Sequence, residues 1–157
     1  MPHTLKDIED AILALLKPLA GQFPRLNVRT YNNELGAEDA LGQAASAPAL
    51  LLVYSGSREG GKDRRIRTEA LSWTVFVLAK SFRDNEARRG SGPDQPGAYD
   101  LLDAVYGALA GRVLFPDLDQ VVRERQQAVA FTSDLAVYAA TYSTQQHRLP
   151  WEGGMPE

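Results

Sequence analysis

The residues whose spacing comes closest to a known chemistry lie in a glycine-rich stretch after an apolar run. Gly56 to Lys62 follow the pattern glycine, four residues, glycine, lysine, which in a phosphate-binding loop supplies backbone N–H groups to a nucleotide. Two features oppose that chemistry. Asp63 stands where a hydroxyl would bind magnesium, and the chain then enters a predicted strand rather than a helix whose N-terminus would face the phosphates. The pattern favours a charged hairpin loop, and a small nucleotide-binding enzyme using the Gly56–Lys62 loop stays the alternative.

Other catalytic arrangements find little material in the sequence. The two histidines, His3 and His147, lie near the ends of the chain, where a fixed geometry with partners is hard to maintain. There is no cysteine, so a thiolate nucleophile, a disulfide and a cysteine-based zinc site are excluded. Carboxylates are scattered rather than clustered as metal ligands. We therefore expect no catalytic residue, no metal site and no cofactor.

The glycine-rich stretch is also a candidate surface for binding another protein. Its basic residues exceed Glu59 and Asp63 by three charges. This excess is typical of an ordinary solvated loop or of a docking surface for a protein or a polyanion, and both interpretations stay open. A second loop adds two further arginines. The candidate protein-interface residues are Arg58, Lys62, Arg64, Arg65, Arg67, Arg88 and Arg89.

Composition limits the class of protein. The length of 157 residues fits one domain. We expect its ordered core at about 4–144 and a flexible tail at 145–157, where prolines and glycines recur. Hydrophobic residues at 44% and charged residues at 24% match globular averages and argue against disorder. The net charge of −3 argues against a specific nucleic-acid partner, and no apolar run approaches a membrane span. We expect a single intracellular domain.

The elements that must position these residues follow from hydrophobic spacing. An apolar stripe with Thr4 as N-cap predicts a helix that ends near Gly21, and a second stripe predicts a helix from about Ala98 to Gly111. Alternating or apolar runs predict strands near 26–30, 49–54, 69–80, 118–127 and 133–144, with loops at 57–67 and 84–97. Because consecutive strands lack crossover helices, we expect an α+β fold: a mainly antiparallel sheet with two helices packed on it.

Several segments together resemble a known family. They cover roughly residues 5–144 in matching order and are mostly core-type segments, so they identify a fold and a family rather than a site. The segments are Ile8-Glu9-Asp10-Ala11-Ile12, Val28-Arg29-Thr30-Tyr31, Pro48-Ala49-Leu50-Leu51-Leu52-Val53-Tyr54, Trp73-Thr74-Val75-Phe76-Val77, Gly97-Ala98-Tyr99-Asp100-Leu101-Leu102 and Phe131-Thr132-Ser133-Asp134-Leu135-Ala136-Val137-Tyr138. They resemble the small tail-terminator family of Mu-like contractile-tailed bacteriophages and their prophages.

The resemblance implies a structural role without catalysis. Tail terminators form a hexameric ring on the last ring of the tail tube, stop tube polymerisation and offer a surface for head attachment. The expected partners are other copies of the chain, the tube and sheath proteins and a head–neck connector protein, with no membrane. The expected location is the tail or neck of the virion, after assembly in the host cytoplasm. Another neck or tail-completion protein of the same fold is the alternative.

Overall fold

The computed structural model describes residues 3–31, 47–60, 67–80, 86–90, 96–131 and 135–148. Its helices are α1 (Leu5–Leu16), α2 (Glu86–Arg89) and α3 (Ala98–Leu109), and a 3₁₀ helix (Lys17–Gly21) follows α1 directly. Its strands are β1 (Asn27–Thr30), β2 (Ala49–Gly60), β3 (Arg67–Lys80), β4 (Val122–Phe131) and β5 (Leu135–Arg148).

The five strands form one sheet in the order β1-β2-β3-β5-β4. Every neighbouring pair is antiparallel except β1 and β2, which are parallel. The expected α+β fold with a mainly antiparallel sheet is confirmed. The parallel pair differs from the expectation because the long stretch between Thr30 and Ala49 gives the chain enough length to return to the same end of the sheet.

The two longer helices cover one face of the sheet. α1 begins at Thr4, whose hydroxyl accepts from Asp7 N–H at 3.1 Å while the Asp7 carboxylate accepts from Thr4 N–H at 3.3 Å. Asp100 caps α3 in the same sense, accepting from Gly97 N–H at 3.0 Å. The helices bury their predicted stripes against alternate residues of the central strands. The buried helix residues are Ile8, Ile12, Leu16, Ala98, Leu101, Leu102, Val105 and Leu109.

Gly97 holds α2 against α3. A Cβ at Gly97 would lie 2.2 Å from the backbone nitrogen of Gly90 and 2.5 Å from the carbonyl carbon of Arg89, so only glycine fits without displacing the backbone. The loop expected at 84–97 therefore contains a short helix, with Ala87 buried in the core. Residues 81–85 and 91–95 of that stretch lie outside the described residues.

Three strand boundaries differ from the expectation. β2 continues to Gly60, because a bulge between Tyr54 and Gly56, with Gly56 at φ 126°, lets the strand resume its pairing with β3. β4 lies further along the chain than expected, and Leu118 makes only an isolated bridge to Gln146. β5 continues beyond Thr144 to Arg148.

Hydrogen bonds to two neighbouring segments hold the end of β5. Asp119 N–H donates to the Gln145 carbonyl at 2.9 Å, and the buried Gln146 amide donates to Glu69 at 2.7 Å. These bonds place Gln145 to Arg148 in the sheet rather than in a tail. Residues 149–157 lie outside the described residues.

Trp73 is the largest side chain in the core between sheet and helices. It is 1% exposed, its ring lies 5.0 Å from the ring of Tyr54, and its Nε1 donates to Glu9 of α1 at 3.2 Å. Trp73, Leu71, Val75 and Val77 share the helix-covered face, as the alternation in the sequence predicts.

We predict that Trp73→Ala destabilises the fold by about 3–5 kcal/mol, because it removes a fully buried aromatic side chain. Trp73→Phe should cost less, since it keeps a ring against Tyr54 and loses mainly the bond to Glu9. Chemical denaturation of the three proteins measures both values. Equal stability of Trp73→Ala and the parent protein would contradict the burial that the structure shows.

Candidate protein-interaction surface

An open polar groove lies on the sheet face opposite the helices. Leu71 and Trp73 point toward the helices, so Ser72 and Thr74, between and beside them in β3, point to the other face. The groove has a volume of about 360 Å³ and crosses parts of β2, β3, β5 and β4. Its described lining residues are Ser55, Gly56, Ser57, Arg58, Ala70, Ser72, Thr74, Glu124, Arg125 and Thr141.

Two exposed arginines from distant parts of the chain line this groove. The antiparallel register places Arg58 of β2 opposite Ala70 of β3, and Arg125 of β4 opposite Thr141 of β5. Glu124 adds one carboxylate, because the β-bulge between Arg123 and Arg125 leaves Glu124 out of the ladder, and Ser143 Oγ donates a hydrogen bond to it. The charged groups of the groove therefore comprise two cations and one hydrogen-bonded anion.

Hydroxyl groups form the floor between the charged side chains. Thr74 and Thr141 face each other across β3 and β5 with their Oγ1 atoms 3.1 Å apart, and Ser72 lies next to them. Hydroxyls donate and accept hydrogen bonds, and guanidinium groups bind carboxylates. None of the described lining residues is a histidine, a lysine or a cysteine, so the groove lacks the usual base for activating a hydroxyl. The arrangement offers two guanidinium groups and several hydroxyls to a polar group that enters the groove.

The described part of the nucleotide-loop pattern is a strand. Gly56 to Gly60 continue β2 and pair with β3 in a hairpin register that ends at Gly60 opposite Thr68. A phosphate-binding loop requires a helix N-terminus after the glycines, and the next described element is β3. The geometry opposes the nucleotide-binding alternative. Lys62 lies outside the described residues.

The other residues predicted for the first basic stretch are less fully described. Arg64 and Arg65, like Lys62, lie outside the described residues. Arg67 begins β3 opposite Arg148, and its side chain is not described. Arg58 is thus the member of this stretch that the structure places in the groove.

Arg88 and Arg89 lie on α2 and do not join Arg58. Arg88 is half-buried beside the Tyr138 hydroxyl, and Arg89 is exposed. Tyr138 pairs with Val77 of β3, whereas Arg58 pairs with Ala70 of β3. Val77 and Ala70 lie seven residues apart along the strand, so Arg88 and Arg58 are separated by about 23 Å in that direction. The predicted interface set is therefore divided between two regions of the molecule.

Burial changes the acidity of two tyrosines near the helices. Burial and a hydrogen bond with Tyr99 raise the pKa of Tyr138, against the opposing effect of Arg88. Burial raises the pKa of Tyr142 to about 12, so this tyrosine stays neutral at physiological pH. Tyr142 is 1% exposed and belongs to the core.

The sequence reasoning missed Arg125 and Glu124. They lie in a stretch that was predicted only as a polar strand, and their approach to Arg58 depends on the order of strands in the sheet. The alternation Arg123-Glu124-Arg125 was the available signal, since a charged run in a strand indicates at least one exposed face.

The two histidines pair with carboxylates in one loop, a contact that the sequence did not reveal. His3 stacks on Phe115 with ring centroids 3.8 Å apart, and its Nε2 lies 2.8 Å from Asp117. His147 lies 3.3 Å from Asp119 in the same loop. Both pairs join segments that are distant in the chain. The described residues contain no group of three potential metal-ligating His, Cys, Asp or Glu side chains.

These observations describe an α+β domain that carries an open polar groove on the sheet face opposite its helices. The family model described as Bacteriophage Mu, Gp37 matches residues 4–147, and the chain belongs to that family. It is therefore a Mu-like phage structural protein. A search of curated proteins finds no match to the chain. Among the described residues, no helix has the length and apolar character needed to cross a membrane.

The His3–Asp117 contact predicts a pH effect. Desolvation raises the pKa of Asp117. The hydrogen bond with His3, a backbone hydrogen bond and the charges of His3 and the N-terminus together outweigh it, so the pKa lies below its ordinary value. A carboxyl whose pKa is lower when folded stabilises the fold above its unfolded pKa, and this stabilisation is lost as the pH falls through the folded pKa.

We predict that His3→Phe keeps the stacking on Phe115 and raises the pKa of Asp117 toward its ordinary value. An NMR titration of the Asp117 carboxyl carbon in the variant and in the parent protein measures this shift. An unchanged Asp117 titration in the variant would show that His3 does not cause the shift.

Proposed function

We propose that this phage structural protein is a tail terminator, which binds the end of a completed tail tube, stops its polymerisation and allows the head to join. The observation that carries the proposal is the family match over residues 4–147. The resemblance to tail terminators of Mu-like phages extends the family assignment to this role.

The proposed partners and location follow from that role. Six copies of the chain form a ring. The ring contacts the tube and sheath proteins on one side and a head–neck connector protein on the other. Assembly takes place in the host cytoplasm, and the finished protein remains in the tail or neck of the virion. The proposed role requires binding surfaces and no enzymatic step.

The groove supports a role in binding. Arg58 and Arg125 are exposed, and neither guanidinium belongs to the buried core. Hydroxyls between them provide hydrogen-bond partners for a backbone or a carboxylate of another protein. We therefore assign the groove to a contact with an acidic segment of a tail or neck component.

The first experiment tests the role itself. A phage or prophage in which this gene is deleted should produce tails that are abnormally long and lack heads, as electron microscopy of lysates would show. Supplying the wild-type gene from a plasmid should restore normal virions. Tails of normal length without heads would overturn tail termination and would instead indicate another neck or tail-completion protein.

The second experiment tests the groove. Arg58→Glu combined with Arg125→Glu should change the melting temperature little, because exposed ion pairs contribute under about 1 kcal/mol. The same reversal should abolish or strongly reduce complementation of the deletion, since it turns attraction for an acidic partner into repulsion.

Lys6→Glu is the matched control for charge reversal. Lys6 is exposed on α1, on the helical side of the sheet and away from the groove. We expect Lys6→Glu to complement the deletion normally. Normal virions from the folded double groove variant would remove the groove from the interface and leave the tail-terminator proposal intact.

A further inference from the structure

The strand β4 forms a long, open edge of the sheet. The nine residues from Val122 to Ala130 are all exposed, and two of the apolar ones, Val122 and Val129, are 51% and 47% exposed. β4 pairs with β5 on one side, and among the described residues no strand pairs with its other side. Its outer N–H and C=O groups are therefore available to another strand.

The opposite edge of the sheet is closed. β1 has only four residues, and the 3₁₀ helix packs beside it. Lys17 of that helix donates from Nζ to the Val28 carbonyl at 2.9 Å. Because Val28 lies between residues whose N–H groups bond to β2, its carbonyl points to the outer side, where a further strand would have to pair. A lysine on an edge strand is a common way to prevent such pairing.

We propose that β4 pairs with β4 of a second copy of this chain, joining the two sheets in antiparallel orientation. An extended peptide or another accessible sheet edge can add to an open edge, and among the described residues of a second copy the accessible edge is again β4. β1 cannot serve as the partner, since Lys17 and the 3₁₀ helix occupy its outer side.

The charges along β4 select the antiparallel orientation. The first half carries Arg123 and Arg125, and the second half, Ala128 to Phe131, is apolar. Parallel pairing in register would place each arginine beside its own copy, which is unfavourable. Antiparallel pairing around Gln126 and Gln127 places the arginines of one copy against the apolar half of the other and glutamine against glutamine.

The bulges of β4 confine this contact to its centre. They lie between Arg123 and Arg125 and between Ala128 and Ala130, so the regular segment between them is Arg125 to Ala128. Bulges twist a strand and limit continuous pairing, which keeps an exposed edge from extending into a fibre. A contact between identical strands is also self-closing, because its two-fold axis leaves no further β4 edge free.

This inference does not rest on tail termination. The pairing of two copies is tested by the association of the isolated protein, and the terminator role is tested by tail length in a deletion lysate. Either proposal can therefore fail without the other. A two-fold contact cannot be part of a ring whose two sides bind different partners, so the pair would have to separate before six copies form the proposed ring.

Replacing the two central glutamines of β4 by charged residues tests the proposal. Gln126→Glu with Gln127→Glu, and separately Gln126→Lys with Gln127→Lys, place like charges opposite each other in a homodimer. Analytical ultracentrifugation should show a concentration-dependent dimer for the wild type, with dimerisation weakened about tenfold or more in each variant alone. An equimolar mixture of the two variants should restore the dimer, because opposite charges then face each other.

Thr30→Glu is the matched control, since Thr30 is exposed on the closed edge strand β1. It should leave dimerisation unchanged, and circular dichroism should show the same fold in all variants. The proposal is overturned if the wild type remains monomeric at the highest concentrations, which would leave the edge to a different protein. It is also overturned if both charged variants dimerise as well as the wild type.

Discussion

The antiparallel ladder between β3 and β5 is the constraint on which the rest of the structure depends. It runs without a register shift from Arg67 opposite Arg148 to Lys80 opposite Leu135. Strand alternation then decides which residues meet the helices and which face the other side. Trp73 opposite Tyr142 places two large aromatic side chains beside each other on the helix-covered face, and both are 1% exposed. A slip of one residue would exchange the two faces along the whole ladder.

The same ladder changes character along its other face. At the Lys80 end, Leu78 and Val137 belong to a second apolar cluster, while toward the Arg67 end Thr74, Thr141 and Ser143 replace apolar residues with hydroxyls. The apolar half contributes to stability by removing surface from water. The hydroxyl half forms an open groove instead of a second core, because isolated burial of hydroxyls is unfavourable without hydrogen-bond partners. The position of the groove therefore follows from where the apolar pattern of two strands ends.

Short-range patterns in the sequence predict those elements that depend on interactions between residues close together in the chain. The stripes of α1 and α3, the Thr4 cap and the alternation around Trp73 are periodic features within a few residues, and each is found in the structure. The extent of β2 and β5 was not predictable in this way. Ser57 to Gly60 resemble a loop by composition and become strand through pairing with β3, and Gln146 is held by Glu69 from the middle of the chain.

The groove was only partly predictable for the same reason. Arg58 lies in a basic stretch that the sequence displays, but Arg125 reaches the groove only because β5 lies between β3 and β4 in the sheet. That order is a long-range property, and single-sequence spacing contains no signal for it. Arg88 shows the opposite case, since a basic residue in a polar stretch lies beside Tyr138, which is partly buried against the core.

The groove and the open edge are parts of one continuous surface. Arg125 belongs to β4 and lines the groove, so a strand added to β4 would extend the groove floor beyond Thr141. In the proposed pair of copies, the two-fold axis at Gln126 and Gln127 would place the two grooves on the same face of one joined sheet. Both Arg125 side chains would then lie close to the axis. Their like charges oppose the pairing, and an acidic segment bound across both grooves would offset that repulsion. Self-association and binding of an acidic partner would thus be coupled through Arg125, each favouring the other by the same factor.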